Sequence, residues 1–102
     1  MEFIPIASPR IGEEEAKAVY DVVKSGWISM GKKVKEFEDL ISDYTGANYA
    51  LAMNNGTSTL HAILIALDIS NGDEVIVPSL AYISPINAIL YQGATPILCD
   101  ND

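Results

Sequence analysis

Apolar residues recur along this chain with two different periods. Between residues 13 and 26 they fall at Ala16, Val19, Tyr20 and Val23, which is helical spacing with a single apolar stripe. Glu13, Glu14 and Glu15 precede that stripe, in the first turn, where the helix dipole favours negative charge. Gly26 is placed to stop the helix. Trp27-Ile28-Ser29-Met30-Gly31 reads as a short apolar connector. A second helix follows with Val34, Phe37, Leu40, Ile41 and Tyr44 on one face, and Gly46 closes it. Residues 1–12 read as an extended arm, punctuated by Pro5 and Pro9 and ended by Gly12.

Beyond Gly46 the pattern changes to short β-rich runs alternating with helical ones. Strands are expected at 49–53, 74–78 and 95–99, with helices at 57–67 and about 84–91 between them. Gly72-Asp73 supplies a turn before the second strand. Strands separated by helices of about ten residues imply a parallel sheet, since each crossover returns the chain to the same end. Helices then cover the sheet faces, which gives an α/β class with three α/β/α layers. Ligands of such open sheets lie beyond the carboxyl ends of the strands. The segments there are 54–59, 79–85 and Asp100 onward. Three strands make a thin core and leave a sheet edge unpaired. This reads as the front part of a larger protein.

Charge narrows the function classes. A formal net charge of -8 is the wrong sign for a nucleic-acid surface, which needs clustered Lys and Arg. Lys32, Lys33 and Lys35 do cluster, but Glu36, Glu38 and Asp39 follow on the same helix, so a solvated face is the better reading. One cysteine, Cys99, permits no internal disulfide and suits a reducing compartment. One Cys and one His, His61, build no conventional metal site. The start Met1-Glu2-Phe3-Ile4-Pro5 is no signal peptide, and no apolar run approaches the ~18 residues of a membrane span, so a cytoplasmic location is expected.

Candidate chemistry concentrates where the first β-run hands over to a helix, at Asn54-Asn55-Gly56-Thr57-Ser58. First-turn amides have no partner inside a helix and carry partial positive charge. Gly56 lets an anion approach them, and Thr57 and Ser58 add hydroxyl donors, which makes a phosphate cradle. The same residues also suit an ordinary capped turn. Tyr82, in the loop after the second strand, either lies against a planar ligand or packs at a helix start. Trp27 is either a wedge in the core or the border of a pocket. His61 sits on an apolar helix with no acid or nucleophile to form a triad. Cys99 reads as a small buried hydrophobe. Asp100 and Asp102 suit a solvated strand end rather than an acid–base pair.

Five segments in order extend this picture: Gly26-Trp27-Ile28-Ser29-Met30-Gly31, then Val34-x-x-Phe37-Glu38, then Asn55-Gly56-Thr57-Ser58-x-Leu60-His61, then Gly72-Asp73-Glu74-Val75-Ile76-Val77-Pro78-Ser79, then Asn87-Ala88-Ile89-Leu90-x-x-Gly93-Ala94-x-Pro96. Together they resemble the nucleotide-sugar aminotransferases of the DegT/DnrJ/EryC1/StrS family, from about Ile4 to the last residue. The resemblance implies the large domain of a fold type I transferase that uses pyridoxal 5′-phosphate (PLP). It implies transfer of an amino group from glutamate to a nucleotide-linked keto sugar, in a homodimer with shared active sites. By the same resemblance Gly56, Thr57 and Ser58 would hold the cofactor phosphate, Tyr82 would stack on the pyridine ring, and Ser29 would meet the sugar nucleotide.

The resemblance also implies what this stretch does not carry. PLP chemistry needs a lysine to form the Schiff base and an acid opposite the pyridine nitrogen. In the family both lie downstream of a point like residue 102, as do the rest of the large domain and the small domain. The six basic residues here all stand at or before Lys35, so the 102 residues by themselves are expected to be inactive, and without the intervening strands and the core they bury they are expected to be poorly folded. Some relatives replace the lysine and dehydrate the sugar instead, other fold type I enzymes use a different amino acceptor, and a truncated product would only bind phosphate. The family places later strands between the first and the second, so the 49–53 run is not expected to neighbour the 74–78 strand.

Overall fold

The computed structural model describes residues 3–101. The first two residues of the arm and Asp102, proposed above as a strand-end acid, lie outside them. The chain divides into two units, Met1–Ala50 and Leu51–Asp102.

Among the described residues the first unit holds an arm without helix or strand, residues 3–12, and two helices, α1 (Glu13–Ser25) and α2 (Lys32–Thr45). Helix α1 starts where the chain offers acids. The Glu15 carboxylate accepts the Gly12 N–H at 2.7 Å, satisfying a donor that the helix leaves unpaired. That bond holds the Glu15 carboxyl below its ordinary value. Both helices end on left-handed glycines, Gly26 (φ 73°) and Gly46 (φ 72°). The charged face of α2 is laced by Lys33–Glu36 and Lys35–Asp39 pairs. The hydrogen bond from Lys35 to Asp39 raises the lysine above its ordinary value. These pairs are exposed and screened by solvent and salt, so they add little to stability. The expected apolar stripes form, but Val19, Val23, Phe37 and Leu40 all stand exposed and neither helix buries a residue.

The second unit holds α3 (Gly56–Ala66), β1 (Glu74–Pro78), α4 (Ser84–Tyr91) and β2 (Thr95–Cys99). Strands β1 and β2 pair in parallel, with Glu74 opposite Thr95 and Pro78 opposite Cys99. Backbone bonds from Thr95 N–H to the Asp73 carbonyl (2.9 Å) and from Ser79 N–H to the Cys99 carbonyl (2.8 Å) close the two ends of the ladder. The core lies between this ladder and the two helices. Val77, Ile89 and Ala94 are buried there, with Leu64, Ile69, Val75 and Ile86 packed against them.

Both helices of this unit end in the same reciprocal pair of backbone bonds. At α3 the Asp68 and Ile69 amides bind the Ile65 and Leu64 carbonyls, both at 3.0 Å. At α4 the Gly93 and Ala94 amides bind the Leu90 and Ile89 carbonyls, at 3.0 and 3.3 Å. Each motif turns the chain so that the next apolar residue, Ile69 or Ala94, drops into the core. Asp68 adopts the left-handed conformation (φ 57°) that glycine usually supplies.

Two expectations are corrected. Residues 49–53 form no strand, because β1 pairs with β2 and the run has no parallel neighbour among the described residues. An apolar run proposes a strand, but only a partner's carbonyls and amides complete one. Cys99 is exposed rather than buried, since it stands at the last position of β2, where nothing covers the strand.

Candidate functional site

The handover into α3 is built by Asn55. Its backbone is extended (φ -165°, ψ 166°), and its carbonyl accepts the Thr59 N–H at 3.2 Å, the first bond of the helix. Its side-chain Oδ1 accepts the Ser58 N–H at 2.9 Å. With Ser58 taken, the amides of Gly56 and Thr57 remain outside the bonding of the helix, at its electropositive end.

Gly56 stands beside these two amides. Its φ is not in the left-handed region, so the backbone does not require glycine there. A Cβ added to it would meet no heavy atom within 4 Å, so packing within the chain does not require glycine either. The missing side chain leaves open space next to two unpaired donors. A phosphate group fits that arrangement in size, charge and hydrogen-bonding capacity. The Ser58 amide is spent on the cap, so Ser58 could reach an anion only through its hydroxyl.

The Thr57 hydroxyl lies 2.7 Å from the Ser84 hydroxyl, across 27 residues of sequence. Ser84 is the first residue of α4 and only 8% exposed. The bond draws the first turn of α3 to the first turn of α4, which follows the carboxyl end of β1 by one short loop. Sequence reasoning missed Ser84. A Ser-Pro pair marks a helix start, but nothing local says which distant hydroxyl it will face.

Tyr82 occupies the loop between β1 and α4 and is 81% exposed, so the ring does not pack into the core of this unit. The loop is pinned by Asn101, whose Nδ2 donates to the Leu80 carbonyl at 3.1 Å. That bond ties together the segments leaving β1 and β2. His61 is half-buried and meets the Tyr91 ring edge-on, with centroids 5.5 Å apart. Asp100 accepts the Asn101 N–H at 3.0 Å, as a turn acid does. Among the described residues no cluster of His, Cys, Asp and Glu could hold a metal ion.

The first unit contains its own concavity, of about 720 Å³, lined among others by Trp27, Ile28, Ser29, Lys32 and Lys33. Trp27 folds back on its loop, its indole N–H donating to the Met30 carbonyl at 3.0 Å. Gly31 makes room for that ring, since a Cβ there would lie 2.2 Å from the indole nitrogen. Trp27 therefore borders a pocket and is not a core wedge. Ser29 lines the same pocket. No helix among the described residues is long and apolar enough to cross a membrane.

Comparison with known proteins places this geometry in context. Residues 9–102 match the model of the DegT/DnrJ/EryC1/StrS aminotransferase family. The chain is 48% identical to the GDP-perosamine synthase of Caulobacter vibrioides over 97% of its own length and 27% of that protein. It is 43% identical to the UDP-4-amino-4-deoxy-L-arabinose–oxoglutarate aminotransferase of Shewanella sediminis over 99% of its length and 26% of that protein. It superposes with a TM-score of 0.91, at 40% identity, on a provisional sugar aminotransferase of Streptococcus pneumoniae solved in its PLP form, covering 97% of this chain and 25% of that one. The chain thus spans about a quarter of the length of the proteins it matches.

Proposed function

The chain belongs to the DegT/DnrJ/EryC1/StrS aminotransferase family, and from that premise we propose that it is the N-terminal part of a PLP-dependent enzyme that aminates a nucleotide-linked keto sugar with glutamate as donor. The observation that carries this reading is the first turn of α3: two unpaired amides, a hydroxyl, and open space beside Gly56. The residues fit a phosphate ester, and the S. pneumoniae relative has been solved with PLP.

On this reading the Gly56 and Thr57 amides and the Thr57 and Ser58 hydroxyls hold the phosphate of the cofactor. Residues 51–102 contain no Lys or Arg, so anion binding there rests on these neutral donors and the helix dipole. Tyr82 presents an exposed ring on a pinned loop, suited to lie against the pyridine. When bound, PLP supplies the electron sink that makes amino transfer feasible. The lysine that anchors it and the acid facing its ring nitrogen belong to parts of the full-length protein outside these residues.

The pocket of the first unit serves the sugar nucleotide. It is lined by an indole, by Ser29 and by Lys32, groups that suit a base or sugar carrying a diphosphate, while Lys33 is paired with Glu36. The exposed apolar stripes of α1 and α2 are faces for the remainder of the protein or for the second subunit of a homodimer.

The test uses the full-length protein with PLP added. A visible absorption band that borohydride removes is expected, followed by glutamate-dependent amination of a GDP- or UDP-linked 4-keto sugar. Dehydration of the sugar in place of amination, without the Schiff-base band, would move the protein to the lysine-less branch of the family. No band at saturating PLP would remove the proposal.

A further inference from the structure

We propose that Ser84 is a positioning residue for the phosphate group, acting through Thr57. The inference rests on the cofactor reading above. Thr57 sits at the second position of α3, beside the unpaired amides, and its hydroxyl is 2.7 Å from that of Ser84. Two hydroxyls so placed share one hydrogen bond and leave one proton for a third partner. Ser84 is 8% exposed, so its hydroxyl has little access to solvent. An anion at the α3 amides selects one of the two directions. Ser84 then donates to Thr57, and Thr57 donates to the anion.

This order has consequences. A hydroxyl that accepts a hydrogen bond becomes a better donor, so the pair strengthens the contact to the anion. The bond also holds the Thr57 side chain in one rotamer beside the unpaired amides, so less conformational freedom is lost when an anion binds. With no Lys or Arg in residues 51–102, such polarised neutral donors matter more than they would beside a cation. Ser84 therefore tunes affinity for the phosphate ester of the cofactor without touching it.

The experiment titrates the apo form of the full-length protein with PLP and with pyridoxal, which has the same ring and no phosphate. Ser84→Ala is expected to weaken PLP about 3- to 10-fold, the range of one hydrogen bond, and to leave pyridoxal within about 2-fold. Ser84→Thr, which keeps the hydroxyl, is expected to restore PLP affinity. In a Thr57→Val background Ser84→Ala is expected to add nothing. If alanine unsettles α4, Ser84→Cys takes its place, being close in shape and a weaker donor, with the same selective loss expected. Equal weakening of both ligands, no change in their ratio, or an undiminished Ser84→Ala effect in Thr57→Val would overturn the role of Ser84. A wild-type protein that does not prefer PLP to pyridoxal would instead overturn the cradle itself.

Discussion

Replacing Gly56 by valine separates a ligand cradle from a plain helix start. The backbone at Gly56 is open to any residue, and an added Cβ meets no atom within 4 Å. Valine is a slightly better helix residue than glycine, so the apo protein should change stability by no more than ~0.5 kcal/mol. The two methyl groups fill the space in front of the Gly56 and Thr57 amides. Two hydrogen bonds to a charged group are then lost, at ~1.5–3 kcal/mol each. With ~1.4 kcal/mol per tenfold in affinity, PLP binding should weaken by about two to four orders of magnitude. Thermal unfolding of the apo protein and equilibrium titration with PLP measure the two quantities independently. A fall in melting temperature with unchanged affinity, or a parallel loss of both, would refute the reasoning and leave Gly56 as an ordinary turn residue.

Other substitutions probe the remaining parts. Gly31→Ala places a Cβ against the Trp27 indole, so the ring must leave its bond to Met30 and sugar-nucleotide affinity should fall; unchanged affinity in a titration would take this pocket out of substrate binding. Tyr82→Ala removes a ring that is already 81% exposed, so apo stability should hold while PLP binding weakens; unchanged PLP binding would exclude stacking. The Glu15 carboxyl is lowered in the folded chain by its bond to the Gly12 N–H, so this cap is intact above the ordinary glutamate value of about 4.3 and is lost as pH falls through the folded value. The Gly12 amide resonance should therefore move at a pH below about 4.3, and Glu15→Gln should abolish that movement.

Much of the fold was legible because its signals are local. Acids at residues 13–15 and glycines at 26 and 46 bound α1 and α2 where the pattern put them. The strands β1 and β2 and helix α4 have the expected limits, since Gly72-Asp73 and Gly93 punctuate them sharply. The 49–53 run failed as a strand because pairing is a property of two segments, and its pattern carries no information about the second. Cys99 was misread for a related reason: its neighbours in sequence are apolar, but the end of β2 is uncovered. At the site, the pattern located the start of α3 but not its division of labour. Asn55 takes the Ser58 amide, which leaves Gly56 and Thr57 as the free donors. Ser84 was invisible because its partner is 27 residues away and the contact arises only when α3 and α4 pack together.

The most direct measurement is a crystal structure of the full-length protein with PLP bound. Phosphoryl oxygens within hydrogen-bonding distance of the Gly56 and Thr57 amides and the Thr57 hydroxyl are the expected result. A phosphoryl group held elsewhere, with the first turn of α3 facing only water, would contradict the account.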